Sequence, residues 1–237
     1  MVLPNFIVIG AQRSGTTWLD IQLRDHLQIY LPTRRKDIHF FDKYYDRGLN
    51  WYEAFFPQKA EQEQYLAIGE ITPKYLYDNL VAKRIHSHLP NCKLLTILRN
   101  PVDRAYSQYG LAVRDSGESR SFEAFYKNNK DVLERGLYSQ QLNEYLKLFK
   151  RESILVLIFK EVISRPEQAH SQIAKFLEVN PLLFDNIAKA KFKANSSYSV
   201  KFSKVYALIK NMSRWLRKYD IDRPVNWAKN MGIRDLF

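Results

Sequence analysis

An α/β fold with a mainly parallel sheet flanked by helices is what this sequence predicts, and three observations predict it. Residues 5–9 form an apolar, β-branched and aromatic run ended by Gly10, and Leu19, Leu23 and Leu27 recur at helical spacing after Thr16 and Thr17. The loop between these stretches, GAQRSG, has a glycine at each end. Farther along, near-continuous apolar runs alternate with amphipathic stretches, the pattern of buried parallel strands joined by crossover helices. A single domain is expected over residues 1–200, with a basic helical appendage over 201–237.

Across residues 11–15 the chain turns from strand to helix. That turn aims several backbone N–H groups, and the positive end of a helix dipole, at one spot where an anion belongs. Gly10 and Gly15 have the spacing of the triphosphate-binding pattern G-x-x-x-x-G-K-[ST], so the fold is P-loop-like, and Thr17 stands at the hydroxyl position. Position 16 is Thr, however, so the lysine that reaches the β- and γ-phosphates is missing, and Arg13 is the only cation inside the loop. Such a cradle suits a donor with less charge to neutralise than a nucleoside triphosphate. Taken alone, the loop reads equally well as an ordinary strand–turn–helix.

Residues 31–57 follow, rich in aromatics and mixed charge without clean periodicity, a connection long enough to expect function in it. A helical turn is expected at 53–56, ended by Pro57. Residues 65–69 read as a second strand ending in Glu70, and Thr72-Pro73 as a helix start leading to Tyr77, Val81 and Ile85. The run CKLLTIL at 92–98 is a buried strand closed by Arg99-Asn100-Pro101, with a helix over 102–113 that carries Ser107. Helices are expected at 122–126, 139–149 and 166–177, and a third buried strand at 154–159. In a parallel sheet, ligands collect at the carboxyl ends of the strands. If the strands ending at Gly10 and Leu98 are neighbours, Arg13, Thr16, Thr17, Arg99 and Ser107 gather around a ligand phosphorylated at two separated positions.

The chain has 237 residues, 46% of them hydrophobic, enough for a substantial core. Cys92 is the sole cysteine, which excludes an internal disulfide or a cysteine zinc cluster and fits a reducing compartment. No apolar segment approaches ~18 residues, so a soluble, cytoplasmic protein is expected. Lysine and arginine outnumber acids 37 to 25, a net charge of +12 that favours polyanionic partners. The five histidines show no metal-binding spacing, and no metal is expected.

Five ordered segments resemble the sulfotransferase superfamily that uses 3′-phosphoadenosine 5′-phosphosulfate (PAPS), in particular its carbohydrate, heparan-type and bacterial members: QRSGTTWL at 12–19, KDIHFFD at 36–42, GEITPKYLY at 69–77, ILRNPVDRAYSQY at 97–109 and RGLYSQQL at 135–142. The first and fourth are the specific ones, and the likeness spans about residues 5–185. The resemblance implies that Ser14, Gly15, Thr16, Thr17 and Trp18 lie at the cofactor, with the first four on its 5′-phosphosulfate. It puts Arg13 where the family usually has a lysine that stabilises the leaving oxygen. It implies that Arg99 and Ser107 bind the 3′-phosphate, and that Lys193, Asn195 and Ser197 belong to a basic loop folded over it.

The same resemblance implies that Asp37 is the catalytic base, standing where relatives have a glutamate one methylene longer. The alternatives are a salt bridge from Asp37 to Arg34, Arg35 or Lys36, and His39 as the base. Glu70, Lys74, His39 and Tyr138 are expected near the acceptor. The expected reaction moves a sulfuryl group from PAPS to a hydroxyl, or to an amine, of a saccharide or other small metabolite, releasing adenosine 3′,5′-bisphosphate. Nucleic acid is not expected as a partner. The basic stretch 201–219 has one apolar face and suits packing on the domain, an anionic acceptor or a membrane surface. The rival readings are a P-loop nucleotide kinase and a non-enzymatic polyanion-binding module.

Overall fold

The computed structural model describes residues 2–58, 63–184, 212–213, 215–224 and 226. In chain order the elements are β1 (Phe6–Gly10), α1 (Thr16–Arg24), β2 (Ile29–Tyr30), α2 (Phe40–Lys43), α3 (Leu49–Glu53), β3 (Ala67–Ile71), α4 (Val81–His88), β4 (Lys93–Leu98), α5 (Pro101–Ser116), α6 (Phe122–Lys127), α7 (Lys130–Glu134), α8 (Tyr138–Leu146), β5 (Ile154–Ile158), α9 (Phe159–Ser164) and α10 (Pro166–Leu177). Among the described residues no helix is long and apolar enough to cross a membrane.

All five strands run parallel, in the order β2-β3-β1-β4-β5. β1 is the middle strand, pairing Phe6 with Gly69 of β3 on one side and with Lys93 of β4 on the other. Its side chains alternate between two separate cores, as the period of a strand requires. Ile7 and Ile9 pack on the face that also holds Ile85 of α4 and Tyr145 of α8. Phe6 and Val8 pack on the opposite face with Leu19 of α1 and Ile173 of α10. Burial on both faces explains why these strands read as apolar runs without polar alternation.

The chain divides into two compact units, Met1–Arg104 with Glu134–Phe192, and Ala105–Leu133 with Lys193–Phe237. The sheet and all its strands lie in the first. The second has its own small core of Ala105, Phe125 and Val132, and α6 begins on a Ser121 hydroxyl that accepts from the Ala124 N–H at 3.3 Å. The boundary expected at residue 200 falls outside the described residues. Of the C-terminal stretch, Met212, Trp215 and Tyr219 are described and exposed.

The structure moves several expected elements. α3 lies at Leu49–Glu53 rather than at 53–56, and the helix expected from Thr72 is a 3-10 turn over Tyr75–Tyr77 followed by α4. The second strand is shifted two residues toward the C-terminus, which places Glu70 inside β3 instead of at its exit.

Candidate active site

Gly15 ends the loop after β1 with φ 98°, in the left-handed region, and a Cβ there would lie 2.7 Å from the ring of Phe159. Both constraints require glycine. Arg13 also has positive φ, at 67°. No side chain caps α1, and the first-turn N–H groups of a helix have no carbonyl four residues back to meet, so this end of α1 presents its donors to a ligand. Ser14 is fully buried beneath the loop, its hydroxyl without a hydrogen-bond partner. Thr16 is buried and Thr17 exposed. Trp18 is only 5% exposed and lies flat on His170, ring centroids 5.6 Å apart, so one face of the indole is covered from within.

Because β1 and β4 are neighbours, their exits open side by side. Arg99, just past β4, donates from Nη1 to the main-chain oxygen of Arg13 at 3.5 Å. Its guanidinium lies over the Phe159 ring at 4.9 Å, while its buried Nε has no hydrogen-bond partner. Phe159, at the exit of β5, thus backs both Gly15 and Arg99, a role its place at the end of an apolar strand did not announce. The Tyr138 hydroxyl donates to the Arg99 carbonyl at 2.9 Å, which ties this tyrosine to the exit of β4. Ser107 lies on α5 in the second unit. Lys193, Asn195 and Ser197 lie outside the described residues.

The opposite wall comes from residues 36–43. Lys36 donates to the carbonyl of Thr16 at 3.4 Å and approaches Asp20 at 3.9 Å, which ties this segment to α1. The buried Oδ1 of Asp37 has no hydrogen-bond partner among the described residues. His39, itself left-handed at φ 60°, donates from Nδ1 to Asp42 at 2.8 Å, which leaves Nε2 as its free ring nitrogen. Asp42 sat inside the KDIHFFD segment, three residues after His39, but that spacing was not read as a pair. Lys74 faces this cluster: burial, then Lys43 and Arg135, lower its pKa, while Asp42 and Asp37 oppose them. Arg135 reaches back to Gln12 with a 2.8 Å hydrogen bond.

Glu70 is the residue expected near the acceptor from the segment at 69–77. It is fully buried, and its carboxylate accepts from the hydroxyls of Tyr52 (2.7 Å), Thr72 (2.7 Å) and Tyr75 (3.1 Å). The cause is its place within β3, a strand buried on both faces. Burial raises its pKa from 4.5 to about 7, the three hydroxyl donors working against that rise.

Residues 3–220 match the family described as Sulfotransferase domain. The chain belongs to the sulfotransferase family. A sulfotransferase from Alicyclobacillus acidocaldarius has a crystal structure that superposes with a TM-score of 0.64 at 32% identity, covering 76% of this chain and 83% of that one. The membrane-associated sulfotransferase kil1 of Dictyostelium discoideum is 37% identical over 157 residues, 64% of this chain and 33% of the relative. The heparan sulfate glucosamine 3-O-sulfotransferase 6 of Mus musculus is 28% identical over 190 residues, 77% of this chain and 54% of the relative. This sulfotransferase chain therefore spans a third to about half the length of those two relatives.

PAPS, the donor of the family, fits the residues present. The unpartnered Ser14 hydroxyl and Arg99 Nε are buried polar groups that an anion would satisfy. Among the described residues no cluster of three or more histidines, cysteines or acids could hold a metal ion.

Proposed function

We propose that this chain transfers a sulfuryl group from PAPS to an acceptor hydroxyl, with a saccharide as the acceptor. One observation carries the reading: the anion-binding turn after β1 and the arginine after β4 stand side by side, with Arg99 bonded to the loop through Arg13. Two phosphate grips so placed suit a nucleotide phosphorylated on both its 5′ and 3′ sides better than a triphosphate. The donor, when bound, supplies an activated sulfuryl group.

The chain supplies the rest. The N–H groups at the start of α1 and the Ser14 and Thr17 hydroxyls hold the 5′ end, and Arg13 sets positive charge beside the oxygen on which negative charge develops. Arg99 grips the 3′-phosphate through a charge-assisted fork. Asp37, whose buried Oδ1 has no hydrogen-bond partner among the described residues, takes the proton from the acceptor hydroxyl. His39 stands nearby, its ring set by Asp42. Positioning and fixed charge do the chemistry, without a covalent enzyme intermediate. A saccharide acceptor is supported by the net charge of +12 and by the heparan sulfate relative.

Calorimetry tests the donor side: adenosine 3′,5′-bisphosphate should bind and ADP should bind far more weakly. Comparable affinities would favour a nucleotide kinase. Incubation with radiolabelled PAPS and fractionated glycans then reads transfer, and no labelled product from any fraction would remove the saccharide.

A further inference from the structure

The turn that carries Asp37, His39 and Asp42 is held in the fold by its backbone at Phe41. The Phe41 N–H donates to the Tyr75 hydroxyl at 3.2 Å, and the Phe41 carbonyl accepts from Arg84 Nη1 at 2.7 Å. The Tyr75 hydroxyl has a single proton, and that proton goes to Glu70. Its lone pair is thereby turned toward Phe41. Without an acceptor at Glu70, the Tyr75 proton is free to swing to another partner, and the Phe41 N–H loses a correctly oriented acceptor.

We propose that Glu70 is a positioning residue for sulfuryl transfer: it orients the Tyr75 hydroxyl, which clamps Phe41 and so fixes the turn bearing Asp37 and the His39–Asp42 pair. This rests on the reading of Asp37 as the proton acceptor. The geometry separates Glu70 from an acceptor ligand, since its carboxylate is fully buried and already accepts three hydroxyls. It separates it from a passive core polar group as well. The line Glu70–Tyr75–Phe41 joins β3 directly to the catalytic turn, and that turn includes a residue, His39, in a conformation that a non-glycine side chain rarely adopts. A turn of that kind persists only when its surroundings over-determine it.

Tyr75→Phe removes the hydroxyl and keeps the ring. Tyr145→Phe is the matched control: its hydroxyl is equally buried and donates to the Tyr75 carbonyl at 2.7 Å, off the line to Phe41. Glu70→Gln is the conservative variant, because an amide oxygen can still accept from Tyr75 while the amide nitrogen turns to the Thr72 hydroxyl. With PAPS and a sulfated-product assay, Tyr75→Phe and Glu70→Leu should lower kcat by ~10-fold or more, with Kd for adenosine 3′,5′-bisphosphate unchanged. Glu70→Gln and Tyr145→Phe should keep kcat within about threefold of the parent.

Amide hydrogen exchange over residues 38–43 reads the clamp without turnover. Protection there should fall in Tyr75→Phe and Glu70→Leu, and stay in Tyr145→Phe. Unchanged protection in Tyr75→Phe, or equal loss of kcat in Tyr75→Phe and Tyr145→Phe, would overturn the proposal. Loss of protection in Tyr75→Phe, in a protein that neither binds the bisphosphate nor transfers sulfate, would uphold the clamp and remove the functional reading.

Discussion

Arg99 donates to the main-chain carbonyl of Arg13 at 3.5 Å, from the exit of one strand to the loop that leaves its neighbour. Residues 86 positions apart in the chain thus share one edge of the sheet. A guanidinium has five donors in a fixed fork, so this single bond leaves Arg99 able to grip a phosphate as well. The same side chain can hold the loop's shape and read the ligand.

Those two roles can be separated by ligand choice. Arg99→Ala should weaken adenosine 3′,5′-bisphosphate by ~2–3 kcal/mol, roughly 30- to 150-fold, as expected for a lost charge-assisted contact. Adenosine 5′-monophosphate, which lacks the 3′-phosphate, should lose much less, only what the contact of Arg99 with the Arg13 loop contributes. Calorimetry with both nucleotides decides. Equal losses would mean that Arg99 serves only the Arg13 loop.

Asp37 should matter to rate and not to nucleotide binding. Asp37→Asn removes the proton acceptor while keeping its shape, and kcat should fall ~10²- to 10⁴-fold. The affinity for adenosine 3′,5′-bisphosphate should be unchanged. His39→Ala is the discriminating companion: a fall larger than that of Asp37→Asn would transfer the base to the histidine. Steady-state rates alongside bisphosphate titrations read both effects.

How far the sequence disclosed this arrangement depends on the range of the forces involved. The β1 run and its glycines are local signals and appear where expected, while the helix after them ends at Arg24 and leaves Leu27 exposed beyond it; α10 matches its expected limits of 166 and 177. The pairing of β1 with β4 was legible only as a condition, because strand order is decided by packing between segments far apart in sequence. β2 has two residues, too few to show any period. α2 starts on His39 in a left-handed conformation, which no helix-start signal announces. Glu70 read as an acid at a strand end, because nothing local shows that Tyr52 and Tyr75 supply hydroxyls from elsewhere. Asp37 was legible through its motif, yet nothing local shows that its neighbour Lys36 turns to the Thr16 carbonyl of α1.

Gly15→Ala should damage the nucleotide site through the backbone. The new Cβ would meet the Phe159 ring at 2.7 Å while the residue holds φ 98°. The conformational cost alone is about 1–3 kcal/mol, and the ring contact adds to it. Phe159→Ala in the same chain should restore only part of the loss, because it relieves the contact and leaves the dihedral. Thermal unfolding of the two single variants and the double variant gives the coupling. Full restoration by Phe159→Ala would show that the dihedral carries no cost.

The buried carboxylate of Glu70 gives the protein a dependence of stability on pH whose direction is fixed. Its pKa rises from 4.5 to about 7 on folding, chiefly through burial, with Asp42 adding to the rise and the hydroxyls of Tyr52, Thr72 and Tyr75 opposing it. The folded state therefore favours the protonated form. The stability this provides is complete below pH ~4.5 and is lost as pH rises toward 7, a difference of ~3 kcal/mol from this group. Glu70→Gln resembles the protonated acid at every pH, so it should escape that loss. Relative to the parent, the variant should gain stability steadily from pH 5 to pH 8, read as the gap between their denaturation midpoints in urea at each pH. A gap that stays constant would show that the folded carboxylate does not titrate above its ordinary value, with the three hydroxyls offsetting its burial.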